Sequence, residues 1–107
     1  MQRDQLSRFK GGWFIGNFTP TIRFTTLFEA AYKYHAKGEH WPAHYQEVAT
    51  EYNLLTHGRL QIKHTTFHPG DLFIIEPGEI VKPHFLTNCE VMVIKTPSLP
   101  GDKILCK

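Results

Sequence analysis

Short runs of apolar residues alternate with turn residues along the whole chain. The turn signals recur about every ten positions and include the pairs Gly11-Gly12, Pro69-Gly70, Pro77-Gly78 and Pro100-Gly101. Between them, β-branched and aromatic residues dominate. Even spacing of this kind is typical of an all-β sandwich or barrel and not of alternating helices and strands. The pattern therefore predicts an all-β fold.

Several runs predict individual strands. Residues 71–76 and 90–95 are compact apolar runs bounded by turns or polar residues. Residues 27–37 contain an Ala-Ala pair that a helix would tolerate, but their apolar and polar residues alternate with the two-residue period of a strand. Residues 51–63 are predicted to form a hairpin in which Gly58 adopts a positive φ.

Length and composition indicate a single domain over residues 1–107. A chain of 107 residues fits one domain, and its 41% hydrophobic content excludes wholesale disorder. A domain of this size buries only about two thirds of its unfolded surface, so association with a second copy would add stability. Together with the 13% aromatic content and the exposed edges of a sheet, this predicts a homodimer.

Charge and hydropathy limit the classes of binding partner and the cellular locations that fit this chain. The 12 basic and 10 acidic residues form no basic cluster, which argues against nucleic acid as a partner. The longest aliphatic or aromatic run, Leu72–Ile75, is far shorter than the ~20 residues that cross a membrane. The first residues lack the apolar stretch of a signal peptide, and two cysteines are too few for a disulfide framework. We therefore expect a cytoplasmic protein with free thiols at Cys89 and Cys106.

Four polar side chains within or beside the predicted strands suggest a metal site. His44 and Gln46 are two residues apart, so on a strand they share a face. Glu51 opens the next strand and needs a partner, because an unpaired charge among apolar residues is costly. His84 begins a later run and can complete the set. Two imidazoles, a carboxylate and an amide oxygen are suitable donors for iron, manganese, nickel or zinc.

The segment from Gly38 to Gly58 resembles the first motif of the cupin family. The family pattern is Gly-x5-His-x-His-x4-Glu-x6-Gly, and every spacing fits. His44 and Glu51 stand at their expected positions, whereas Gln46 stands where the second histidine is expected.

The segment from Gly70 to Asn88 resembles the second cupin motif, Gly-x5-Pro-x-Gly-x2-His-x3-Asn. Glu76 stands where the first proline is expected, and three extra residues separate Gly78 from His84. The two segments together cover about half of the chain, from residue 38 to residue 88.

The resemblance implies a single cupin-type jelly-roll β-barrel with one divalent metal ion at its centre. Carried over position by position, the implied ligands are His44, Gln46, Glu51 and His84. The implied function is a metal-binding cupin that acts on or binds a small molecule. Such a site can activate dioxygen or water, or polarise a carbonyl, so the enzyme classes it suits are oxygenases, isomerases and decarboxylases. The alternative is a module without metal that binds a sugar or another metabolite, or has a structural role, and Gln46 favours it.

The same residues also have structural interpretations. His44 and Glu51 can form a hydrogen-bonded pair without metal, and Gln46 can satisfy neighbouring polar groups. Trp13 can form a wall of a ligand site, pack in the core or lie in a dimer interface, and Trp41 can cap a cavity or pack. Exposure is expected for the histidines that fall near turns: His35, His57, His64 and His68.

Overall fold

The computed structural model describes residues 1–106, and nearly all of their regular structure is β-strand. Two short 3₁₀ turns, Leu6–Arg8 and Lys10–Gly12, precede the first strand. The strands are β1 (Trp13–Gly16), β2 (Arg23–Phe24), β3 (Glu29–His35), β4 (His44–Gln46), β5 (Thr50–His57), β6 (Leu60–Ile62), β7 (Thr65–Phe67), β8 (Leu72–Ile75), β9 (His84–Phe85), β10 (Cys89–Thr96) and β11 (Lys103–Leu105). No helix within the described range is long and apolar enough to cross a membrane. The predicted all-β class is confirmed.

Six strands form the main sheet, in the order β2-β1-β3-β10-β5-β8. Strand β10 lies near its centre and pairs antiparallel with β3 on one side and β5 on the other. Strands β7, β6 and β9 form a second sheet, and β11 and β4 form a third. Residues of both small sheets face the inner side of the main sheet across a cavity. Main-chain pairing among the described residues does not join the three sheets into one ring, so the closed barrel stays a prediction.

The strand predictions for β3, β8 and β10 are confirmed, but the hairpin prediction is wrong. Strand β5 pairs with β10 and β8, whereas β6 pairs with β7 and β9, so the chain passes from one sheet to another between them. Gly58 does have the predicted positive φ, of 85°. A Cβ atom at this position would lie 2.1 Å from the carbonyl oxygen of Asn88, so only glycine fits this crossing.

The hydrophobic core lies between the main sheet and the second sheet. Its buried cluster consists of Leu55, Leu60, Phe85, Cys89, Val91 and Val93. Cys89 is fully buried and its thiol donates to the carbonyl oxygen of Arg59 at 3.2 Å. Burial raises the pKa of the Cys89 thiol, which keeps it protonated and unreactive. It serves as a small core residue.

The outer face of the main sheet carries a row of exposed apolar side chains. Ile94, Tyr52 and Ile74 lie opposite one another on β10, β5 and β8. Each is exposed, and Leu72 on β8 is 76% exposed. The inner face has the opposite character at several positions, because residues of the same strands bring charged groups into the cavity.

Candidate functional site

A cavity of about 250 Å³ lies between the main sheet and the two small sheets. Apolar side chains such as Phe73, Val93 and Leu60 form part of its wall. The polar and charged side chains that line it are Glu29, Lys33, His35, His44, Glu51, Asn53, Lys95 and Lys103. A small concave site with a few convergent polar groups is the usual form of a ligand site in a protein.

Glu51 is held firmly at one end of strand β5. Its Oε1 atom accepts a hydrogen bond from Nε2 of Gln46 at 3.0 Å, and its Oε2 atom accepts one from Nδ2 of Asn53 at 3.1 Å. The ammonium group of Lys95 lies 3.8 Å from Oε1. The carboxylate therefore already has two amide donors and a positive neighbour.

Lys95 lies between two acidic residues in the main sheet. It is the direct cross-strand neighbour of Glu29 on β3 and of Glu51 on β5, so all three project from the same face. Glu29 also accepts a hydrogen bond from the hydroxyl of Ser98 at 2.9 Å. Both cavity carboxylates thus have partners within the protein.

Three lysine ammonium groups lie over two tryptophan rings at the cavity. The Lys33 nitrogen is 5.4 Å from the ring centre of Trp13 and 5.9 Å from that of Trp41. Lys95 lies 5.1 Å from Trp13, and Lys103 lies 4.1 Å from Trp41. These are cation–π distances. Within residues 1–106, Lys33 and Lys103 have no carboxylate at ion-pair distance.

Burial and mutual repulsion act on two of these lysines. Burial, followed by repulsion from Lys95, lowers the pKa of Lys33. Burial, followed by repulsion from Lys95 and Lys33, likewise lowers the pKa of Lys103. The cavity therefore holds more positive charge than its own carboxylates compensate.

His35 is buried, and the prediction that it is exposed was wrong. Strand β3 places it two residues after Lys33 on the same inward face. Its ring stacks on Phe85 with 4.2 Å between ring centres, and Nδ1 lies 2.6 Å from Oε2 of Glu39. Trp41 also donates to that Glu39 oxygen, at 2.5 Å. Burial lowers the pKa of His35, although Glu39 opposes the shift.

The protonation of His35 follows from its partner. A carboxylate only accepts, so Nδ1 of His35 carries the hydrogen that Glu39 receives. In the neutral ring the proton is then absent from Nε2, which has no hydrogen-bond partner among the described residues. This nitrogen is available as a proton acceptor at the cavity.

Known proteins resemble this chain in structure and not in sequence. No protein-family model and no curated protein matches it. A structure of a Klebsiella pneumoniae protein with a double-stranded β-helix domain is similar, with a TM-score of 0.69 and 15% identity over 77% of this chain and 72% of that one. A cupin-2 domain protein from Shewanella frigidimarina gives a TM-score of 0.60 and 20% identity over 67% of this chain and 72% of that one. The fold is that of a cupin.

A larger cupin-like structure agrees. The DMSP lyase DddQ from Ruegeria pomeroyi gives a TM-score of 0.72 and 17% identity over 87% of this chain. The match spans only 49% of the lyase chain. At identities this low, the likeness establishes the cupin fold, and the activity has to be argued from the side chains of the cavity.

The cupin-type fold brings together three of the four predicted ligand residues. His44 and Glu51 line the cavity, and Gln46 is buried beside them with its amide nitrogen directed at Glu51. His84 is exposed on β9, and its neighbour Phe85 is the residue that points inward. Adjacent residues of a strand face opposite sides, so His84 lies on the outer side while Phe85 faces the cavity.

These side chains do not fit a divalent metal ion as they are arranged. Within residues 1–106, no three His, Cys, Asp or Glu groups are close enough together to hold one. Both oxygens of Glu51 accept amide hydrogen bonds, and Lys95 adds positive charge beside them. The buried Oε1 atom of Gln46 has no hydrogen-bond partner in the described chain, but the Nε2 atom of the same side chain already donates to Glu51. The metal site stays a prediction.

Sequence reasoning missed the lysines and His35 as cavity residues. Their signal is present in the chain, because Lys33 and His35 share the two-residue period that predicted strand β3. That period shows that the two residues lie on one face, but it does not show which face turns inward. The usual rule places apolar residues inside, and here it misassigns the strand.

Proposed function

We propose that this protein binds a small organic anion in its cavity, without a metal ion. The observation that carries the proposal is that Lys33 and Lys103 face one cavity and have no carboxylate at ion-pair distance in the described chain. Ammonium groups in a partly apolar site are costly unless a negative group compensates them. A bound anion supplies that group.

The dimensions of the cavity favour a small ligand with a short carbon body. Its volume of about 250 Å³ is slightly below the usual range for ligand sites, about 300–1,000 Å³. Trp13, Trp41 and Phe73 offer flat or apolar walls, and the lysines offer point charges. A carboxylate with a few carbon atoms matches both features, and inorganic phosphate is the second anion to test.

Calorimetric titration tests this proposal with a panel of small carboxylates, inorganic phosphate and neutral sugars. We expect a carboxylate to bind and the sugars not to bind. Lys33→Met and Lys103→Met should each weaken binding by about tenfold to a hundredfold, because each removes a charge-assisted contact of about 1.5–3 kcal/mol. The matched control is Lys82→Met, since Lys82 is exposed and does not line the cavity. Equal binding by wild type and both cavity variants would overturn the proposal.

Metal analysis of the same preparations tests the metal-free part. We expect less than one equivalent of iron, manganese, nickel or zinc in the wild type, and no loss of metal in Glu51→Ala. Gln46→His restores the complete first cupin motif and is the variant most able to gain metal. Stoichiometric metal in the wild type that falls in Glu51→Ala would instead establish the metal site predicted from the sequence.

A further inference from the structure

Lys33 occupies a position that suits covalent chemistry. Its amine is half-buried at the cavity, with the Trp13 and Trp41 rings at 5.4 and 5.9 Å. The 3₁₀ turn Lys10–Gly12 lies beside the Lys33 amine. A Cβ atom added at Gly11 would be 3.5 Å from the amine nitrogen. Lys95 differs because it is paired with a carboxylate. Lys103 differs because it is an exposed residue, whereas Lys33 is half-buried.

Its surroundings raise the fraction of neutral amine. Burial, then repulsion from Lys95, lowers the pKa of Lys33, while Glu39 and Glu51 oppose the shift. Positive neighbours and desolvation are the two means by which proteins make a lysine nucleophilic.

His35 supplies a proton acceptor on the same strand face as Lys33. Residues two apart on a strand are separated by about 6.6 Å along it, and both side chains line the cavity. Glu39 fixes the ring through Nδ1, which leaves Nε2 free of partners in the described chain. A nucleophile, an oriented base and the group that orients the base are the components of covalent catalysis.

We propose that Lys33 forms an imine with the carbonyl carbon of a small 2-oxo acid, with His35 transferring the protons. This inference rests on the proposed function, because Lys103, which has no carboxylate at ion-pair distance in the described chain, is the group that receives the carboxylate of the oxo acid. It adds a covalent step that anion binding alone does not require.

The step balances without an oxidant or a reductant. The neutral amine of Lys33 attacks the carbonyl carbon, so a C–N bond forms while the carbonyl π electrons move to oxygen. Nε2 of His35 takes one proton from nitrogen and delivers it to that oxygen. The second nitrogen proton follows when the hydroxyl group leaves as water and the nitrogen lone pair completes the C=N bond. Amine and ketone become imine and water.

Reductive trapping tests this inference with pyruvate as the probe. The wild-type protein is incubated with pyruvate and sodium cyanoborohydride, which converts an imine into a stable secondary amine, and adducts are mapped by mass spectrometry. We expect one adduct, on Lys33, formed at least about tenfold faster than on Lys82, because burial and repulsion from Lys95 lower the pKa of Lys33 and leave more of its amine neutral. His35→Gln should slow trapping and shift its pH profile while pyruvate still binds.

Lys33→Arg separates covalent chemistry from charge. Arginine keeps the positive charge but forms no imine under these conditions, so pyruvate should bind without being trapped. Lys82→Arg is the matched control and should be trapped like the wild type. Adducts spread over exposed lysines, or equal trapping in Lys33→Arg, would overturn the inference. The map of the wild-type adduct decides the question even if Lys33→Arg does not fold.

Calorimetry in parallel separates the two proposals. Binding of pyruvate without trapping in the wild type would end the imine proposal and leave the proposed function standing. Failure of pyruvate and every other anion to bind would end the proposed function.

Discussion

The two faces of the main sheet are built from the same strands but serve different purposes. On the inner face, Glu29, Lys95 and Glu51 form a charged row across β3, β10 and β5. On the outer face, Ile94 and Tyr52 belong to an apolar row that is exposed in the single chain. The charged row inside is tolerated because Lys95 pairs with Glu51 and Glu29 accepts a hydrogen bond from Ser98. The apolar row outside has no such compensation within the chain.

The contrast between the two faces distinguishes residues that stabilise the fold from residues that are candidates for binding. The inner face combines a well-packed cluster around Leu55 with a polar cavity, so part of it stabilises the fold and part holds unbalanced charge. Charge that costs stability and is nevertheless kept in place supports the ligand site proposed above. The outer apolar row indicates a surface that association would cover.

The largest expected effect is on the packed part of the inner face. Leu55 is fully buried in the core cluster, so Leu55→Ala should lower the free energy of unfolding by about 2–5 kcal/mol. Urea unfolding followed by circular dichroism measures this change. The matched variant is Leu72→Ala on the outer face, where the same atoms are removed from a side chain that is 76% exposed. A smaller loss for Leu55→Ala than for Leu72→Ala would contradict the assignment of the two faces.

The next effect concerns the outer face and the predicted homodimer. If a second copy covers the apolar row, light scattering should give a mass of twice the 12.4 kDa chain. Ile74→Asp places a charge in that row and should return the protein to monomers, while Lys82→Met should not. A wild-type mass near 12.4 kDa at micromolar concentration would rule the dimer out.

The sequence was sufficient for the strands and insufficient for their partners. Two-residue alternation located β3, and Pro-Gly turns bounded β8, because both signals are local. The hairpin failed because Gly58 marks a turn equally well in a hairpin and in a crossing between sheets. What distinguishes these cases is the contact of Gly58 with Asn88, which lies thirty residues away and leaves no local pattern.

The candidate site shows the same limit. His44 and Glu51, which the motif spacing selected, both line the cavity, and their role as metal ligands stays a prediction. It could not place His84, whose orientation depends on the length of the preceding loop, so Phe85 takes the inward position. Lys33 was missed because the inward direction of β3 is set by tertiary packing and not by the alternation itself.

The smallest expected effect is the pH dependence that the inner face adds to stability. Burial lowers the pKa of both His35 and His44 below the ordinary value of 6.5, so the unfolded chain binds more protons than the folded chain just below that pH. The free energy of unfolding should therefore rise with pH through this window and level off above about 6.5. When the pH is lowered instead, the folded protein loses stability because its buried histidines are forced to protonate. Glu39 acts at lower pH, because hydrogen bonds from Trp41 and His35 outweigh burial and hold its pKa below 4.5.

Urea unfolding at several pH values between about 5 and 7 measures this slope. His35→Gln removes one of the two buried imidazoles, so its free energy of unfolding should depend less steeply on pH than that of the wild type. His64→Gln removes an imidazole that is exposed and should leave the slope unchanged. Equal slopes for the wild type and His35→Gln would show that His35 is not held neutral by the fold. That result would also remove the base from the imine step, since a protonated His35 cannot accept the proton of Lys33.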